Sequence, residues 1–181
     1  QIRQWRGELG IGKISVNISP VQFAQEDFVE MIENLLTETG AGADMIELEL
    51  TETTLIDCSP AMLERMKKIR GLGFTMAVDD FGTGYSSLKY LSKLPIDKLK
   101  IDQFFVRQMI INPSDASIVR AIVALGKGLD LEVVAEGVET VSQRNILVAE
   151  GCLSGQGELF SKPLAAQHFA NFVKLMNDNT V

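Results

Sequence analysis

The chain has 181 residues, 46% of them hydrophobic, enough for one domain with a core of its own. With 17 Lys and Arg against 24 Asp and Glu, its net charge of -7 argues against a non-specific binder of nucleic-acid polymer or of an anionic membrane surface. A phosphate-bearing ligand stays open, because carboxylates can hold the cations that hold phosphate.

The chain begins with Gln1-Ile2-Arg3-Gln4-Trp5, which reads as the end of an amphipathic helix, with Trp5 packing near the chain start. Six short apolar or β-branched runs follow, each with strand length and composition. They are Lys13 to Ile18, Met45 to Leu50, Phe74 to Val78, Lys98 to Ile101, Leu131 to Ala135 and a weaker run from Gly155 to Phe160. Helix signals lie between them. Ser19-Pro20 sets a cap before a proline and leads into Phe23, Phe28, Ile32 and Leu35 at helical spacing. Ser59-Pro60 does the same before Leu63, Met66 and Ile69. Asp115 is placed to cap a helix with an apolar stripe of Ile118, Ala121, Ile122 and Leu125. Met62, Met66, Met76 and Met109 read as core, and His168, in the last helix, carries no catalytic expectation.

Cys58 and Cys152 are far apart and form no C-x-x-C pair, which fits reduced thiols in a cytoplasmic domain. No apolar run approaches membrane-spanning length, and the first residues carry no signal-peptide pattern.

Strand-helix alternation predicts an α/β fold with a parallel sheet, either doubly wound or closed into a barrel. The polar residues decide between the two. Asn17, Glu49, Asp79 with Asp80, Lys100 with Asp102, and Glu136 each fall at or just past the end of a strand. A barrel brings all its strand ends around one mouth, so a (β/α) barrel of TIM type is predicted, with two strands fewer than the usual eight.

Asn17, Glu49 and Asp79 offer hard oxygen ligands from successive strands, the donor set that Mg²⁺ or Mn²⁺ prefers. Asp80 extends the cluster toward a second ion, and two ions roughly 4 Å apart can neutralise a phosphodiester while activating water. Lys100 is either a charge balancer or the group that orients, or takes a proton from, that water; Glu136 could hold a metal or its water. Gly82-Thr83-Gly84 suits a tight loop beside a ligand.

Val16-Asn17-Ile18-Ser19-Pro20, Glu49-Leu50-Thr51-Glu52, Asp79-Asp80-Phe81-Gly82-Thr83-Gly84-Tyr85-Ser86-Ser87, Leu99-Lys100-Ile101-Asp102, Val134-Ala135-Glu136-Gly137-Val138-Glu139-Thr140 and Gly155-Gln156-Gly157 resemble, in this order, the E-A-L domain family. The resemblance implies a modified (β/α) barrel that hydrolyses cyclic-di-GMP to linear pGpG in bacterial second-messenger signalling, with two Mg²⁺ or Mn²⁺ ions. It implies metal ligation by Asn17, Glu49, Asp79 and Asp80 with Glu136 assisting. Lys100 and Asp102 would position the water, Glu52 would steady the loop after Asp80, and Gln156 would lie near a guanine. It also implies a homodimer formed through the loop Phe81 to Ser87 and the helix after it, with sensory or cyclase-like domains elsewhere in a parent protein that membrane anchors sometimes hold.

Two departures stand out. The Glu-Ala-Leu strand and the strand that pairs with it have no counterpart in residues 1–181, so one incomplete domain is expected, inactive by itself. Glu158 stands where the family usually carries a bulky apolar residue. A non-hydrolytic cyclic-di-GMP receptor is the alternative, and a purely protein-binding regulatory domain a third reading that an uncompensated acidic rim disfavours.

Overall fold

The computed structural model describes residues 1–55, 59–84 and 91–178. Six strands form one parallel sheet: β1 (Ile14–Ile18), β2 (Ile46–Thr51), β3 (Thr75–Phe81), β4 (Lys98–Ile101), β5 (Glu132–Ala135) and β6 (Ser154–Gly155). Their order across the sheet is their order in the chain. A doubly wound sheet reverses direction at a switch point. An order that only advances, with crossovers of one hand, keeps every helix on one face, which is the wall of a (β/α) barrel. The six strands are an arc of such a wall, with β1 and β6 at its edges.

The described helices are α1 (Ile2–Leu9), α2 (Pro20–Ala24), α3 (Phe28–Thr39), α4 (Pro60–Gly71), α5 (Gln103–Gln108), α6 (Pro113–Gly128), α7 (Val141–Ala149) and α8 (Ala166–Asp178). Alternation along the strands divides the sheet into two faces. Leu48, Leu50, Met76, Val78, Leu99 and Ile101 are buried in one core with Phe28, Ile32, Met66, Ile69, Val119 and Ile122 of the helices. Each such side chain contributes about 1.5–3 kcal/mol by leaving water. The other face carries Glu47, Glu49, Lys98 and Lys100, all but Lys98 fully buried.

Four local expectations are corrected. The helix after Ser19-Pro20 is two helices, because Gln25 turns extended (ψ 136°) after a capping box between Ser19 and Gln22; Phe23, Phe28 and Ile32 are buried but Leu35 is exposed. Asn112, not Asp115, caps α6, accepting from Ser114 N at 3.0 Å, and Asp115 lies buried in the first turn. The stripe that α6 buries runs through Val119, Ile122 and Val123, leaving Ala121 exposed. The sixth strand is two residues long, since the chain turns away at Gly157 (φ 153°), where any side chain would strike the Val138 backbone. The four methionines are core residues, as read. Trp5 lies in a helix that begins at Ile2 and meets Phe169 of α8, ring centroids 5.1 Å apart. His168 is exposed. Cys152 is buried, and Cys58 lies outside the described residues. Among the described residues no helix is long and apolar enough to cross a membrane.

Gly126 seats α6 on β5: a Cβ there would lie 2.2 Å from Val133 Cγ2. Gly→Ala inside a helix ordinarily stabilises by about 0.5–1 kcal/mol. Here overpacking wins, so Gly126→Ala should destabilise by about 1–3 kcal/mol, read from urea unfolding.

Candidate metal centre

The sheet register lifts the chemically active residues to one end of the arc. Asn17 of β1 lies opposite Glu49 of β2, and Asp79 of β3 opposite Thr51. Between β3 and β4 the ladder slips: Val78 pairs with Leu99 and Phe81 with Ile101, so Asp79 and Asp80 together face the single residue Lys100. In a regular strand two consecutive residues point to opposite faces. The bulge removes that alternation. Asp80 takes φ 54°, a left-handed conformation that Asp tolerates better than most residues, and its N–H lies 3.1 Å from Asp79 Oδ1. Asp79, Asp80 and Glu136 thereby each bring an oxygen within 4.8 Å of the others. The aspartates lie inside β3, where the sequence had suggested its end.

Lys100 Nζ sits 2.7 Å from Glu49 Oε2, 2.9 Å from Asp79 Oδ1 and 2.7 Å from Glu136 Oε1, with its side chain 5% exposed. Burial alone would lower its pKa, but the hydrogen bonds it donates to Glu136, Glu49 and Asp79 outweigh it and hold the ammonium above the ordinary lysine range. With these three partners Lys100 is held as the charged ammonium near neutral pH. Burial pushes Glu136 up to about 7, with the charges of Asp79 and Glu49 adding to it against the pull of Lys100. Burial also raises Asp80, helped by Asp79 and by the nearby Asp102.

Each remaining candidate has a visible setting. Asp102 caps α5, accepting from Phe104 N at 2.7 Å, a task the sequence reading did not assign to it. Glu52, 2% exposed, accepts from the backbone N–H of both Gly82 and Gly84 at 3.0 Å and so binds the turn that follows the bulge. Gly84 has to be glycine for this approach, since a Cβ would lie 2.8 Å from the Glu52 carboxylate. Gln156 Nε2 donates to Glu136 Oε1 at 2.6 Å, which joins it to the centre directly. Beside it opens a cavity of about 470 Å³ lined by Gln103, Arg107, Glu139, Gln156, Glu158 and Lys162. Asn17, exposed on the edge strand, enters by register with Glu49 rather than through the Lys100 ion pairs. Tyr85, Ser86 and Ser87 lie outside the described residues. Glu47 and Lys98 join this face without having been singled out as strand-end residues, although Glu47-x-Glu49 and Lys98-x-Lys100 announce by their period of two that each pair shares a face.

An all-oxygen cluster closing on a few ångströms, with one lysine as its counter-charge, fits a hard divalent cation. The EAL domain family matches this sequence over residues 1–163. The chain belongs to that family. This EAL chain is 42% identical over 168 residues to the bifunctional diguanylate cyclase/cyclic di-GMP phosphodiesterase MucR of Pseudomonas aeruginosa, covering 92% of the chain and 24% of MucR. It superposes on PaMucR phosphodiesterase in complex with c-di-GMP with a TM-score of 0.88 at 40% identity, over 93% of this chain and 68% of that one. The manganese/cy-diGMP complex of Klebsiella pneumoniae BlrP1 superposes with a TM-score of 0.77 at 35% identity, over 87% of this chain and 41% of that one. The chain spans about a quarter of the length of the curated relatives it matches.

The raised carboxyl of Glu136 sets a pH dependence. Its folded value of about 7 stands above an ordinary 4.5, so between these values the folded state binds more protons than the unfolded one. Stability is then complete below about 4.5 and is lost as pH rises toward 7. The urea midpoint of the metal-free protein should fall between pH 5 and pH 7.5 (approximate assay limits set around that window). Glu136→Gln should flatten most of that fall; an equal slope in the variant would assign the pH dependence elsewhere.

Proposed function

We propose that this EAL domain hydrolyses cyclic-di-GMP to pGpG with Mg²⁺ or Mn²⁺. The observation that carries the reading is the convergence of Glu49, Asp79 and Glu136 on Lys100, with Asp80 turned into the same cluster. Asn17, Glu49, Asp79 and Asp80 would hold the cations, with Glu136 assisting. Two divalent cations, when bound, supply Lewis-acid stabilisation of the phosphodiester charge. The complexes of PaMucR phosphodiesterase and of BlrP1 with cyclic-di-GMP support the choice of substrate.

The chain's own residues then divide the work. Lys100 and Asp102 orient the attacking water, the lysine as a fixed positive charge and the aspartate from the start of α5. Glu136, at the edge of the same cluster, takes the proton of that water. The water oxygen bonds to phosphorus and the bond from phosphorus to the ribose O3′ breaks, leaving a 5′-phosphate on one guanosine and, once the departing oxygen takes a proton from solvent, a 3′-hydroxyl on the other. Gln156 and the cavity beside it accept a guanine. Glu52 keeps the Gly82–Gly84 turn in place while substrate enters. Homodimerisation through the loop and helix after Asp80 completes the proposal.

Incubation of the full-length parent protein with cyclic-di-GMP and Mn²⁺, followed by chromatography, should yield pGpG. Glu136→Gln should lower kcat about 10²–10⁴-fold, the usual range for losing a general base. Tight binding of cyclic-di-GMP without any pGpG at saturating metal would make the domain a receptor instead.

A further inference from the structure

Below the centre lies a second polar layer that the proposed chemistry does not use. Lys98 Nζ lies 3.1 and 3.0 Å from the two carboxylate oxygens of Glu47 and 3.5 Å from Glu132 Oε2. Ser15 Oγ donates to Glu47 Oε1 at 2.9 Å, and Ser154 Oγ to Glu132 Oε1 at 2.9 Å. These contacts run from edge strand β1 to edge strand β6. They pass over β3, which adds no polar partner: Ala77 stands in register with Lys98, and the buried hydroxyl of Thr75, in register with Glu47, has no hydrogen-bond partner among the described residues.

A barrel interior is ordinarily packed with branched apolar side chains. A buried ion pair can often be replaced by such residues without loss of stability, so the Glu47–Lys98 pair, with side chains 4% and 20% exposed, calls for another explanation. Position supplies one. Glu47 lies two residues before Glu49 and Lys98 two before Lys100, so each lower residue stands under an upper one on the same strand and face. Lys100 links β2 to the end of β5 through Glu49 and Glu136, and Lys98 makes the same link through Glu47 and Glu132.

We propose that the Glu47–Lys98–Glu132 bridge is a positioning clamp that fixes the separation of β2 and β5, and with it the spacing of Glu49 and Glu136. The proposal rests on the reading of the centre as a divalent-cation site. The carboxylates around Lys100 are those that incoming cations claim, so the upper link is remade on loading. The lower link uses none of them and holds the wall in shape meanwhile.

Lys98→Met keeps the length of the side chain and removes its charge. By charge alone, loss of a cation under the site would strengthen Mn²⁺ binding; loss of a clamp would weaken it. The Mn²⁺ dissociation constant, from the spin-resonance signal of free Mn²⁺, should rise about 10–100-fold, as it does when residues behind metal ligands are altered. Lys98→Arg should recover most of the affinity, and the urea midpoint of Lys98→Met should fall because Glu47 is left buried without its cation, whereas that of the charge-balanced pair Glu47→Leu with Lys98→Met should fall less. Mn²⁺ binding by Lys98→Met as tight as that of the unaltered protein, or tighter, overturns the clamp and leaves the cation site standing. Failure of the unaltered protein to bind Mn²⁺ overturns both. If Lys98→Met does not fold, the charge-balanced pair Glu47→Leu with Lys98→Met decides in its place: weaker Mn²⁺ binding supports the clamp, and unchanged binding overturns it.

Discussion

Carboxylates from two strands and a loop are brought within a few ångströms of each other, and one ammonium group stands among them. Two carboxylates about 4 Å apart repel by roughly 4 kcal/mol at the effective dielectric of a protein near its surface. With Glu49, Asp79, Asp80 and Glu136 gathered together, several such repulsions coexist. Lys100 offsets them by donating to three of the four groups, and its own raised proton affinity records how strongly it is held. Burial, with the repulsion that remains, raises the proton affinities of Glu136 and Asp80. A divalent cation relieves the same strain more fully. The metal-free protein thus carries an electrostatic imbalance that its proposed cofactor would correct.

The backbone yields to this requirement at β3. A regular strand would send Asp79 and Asp80 to opposite faces, one of them into the apolar core against the helices. The bulge opposite Lys100 spares the core a carboxylate and doubles the charge at the mouth. It also leaves the chain needing support just beyond, which Glu52 gives through the N–H groups of Gly82 and Gly84. The neighbouring strands stay regular, with Glu49 and Lys100 reaching the site by simple alternation.

This division marks what was legible in the sequence. The strand at Lys98 to Ile101 and the strand-end polar residues were readable because period-two alternation and short β-branched runs are local signals. The sequential strand order follows from the same alternation once the barrel is chosen. The bulge was not legible, since it depends on the pairing between two strands and no local residue pattern announces it. The overlong sixth strand failed because Leu159 and Phe160 are apolar for packing reasons, while Gly157 turns the chain. At α6 two capping residues competed, and the one directly before proline prevailed, Asn112 preceding Pro113. The tie from Gln156 to Glu136 is a contact in space with no signature in sequence, whereas the capping by Asp102 is local, an Asp directly before a helix.

The proposed chemistry places one demand on the molecule that can be seen directly. Crystals of the protein grown with Mn²⁺ and cyclic-di-GMP, measured at the manganese absorption edge, would locate any bound ion by anomalous scattering. An ion among the Asp79, Asp80 and Glu136 oxygens, at coordination distances of about 2.0–2.3 Å, is the predicted result. Lys100 holding Glu49, Asp79 and Glu136 as it does without metal, and no anomalous peak between those carboxylates at saturating Mn²⁺, would contradict the account.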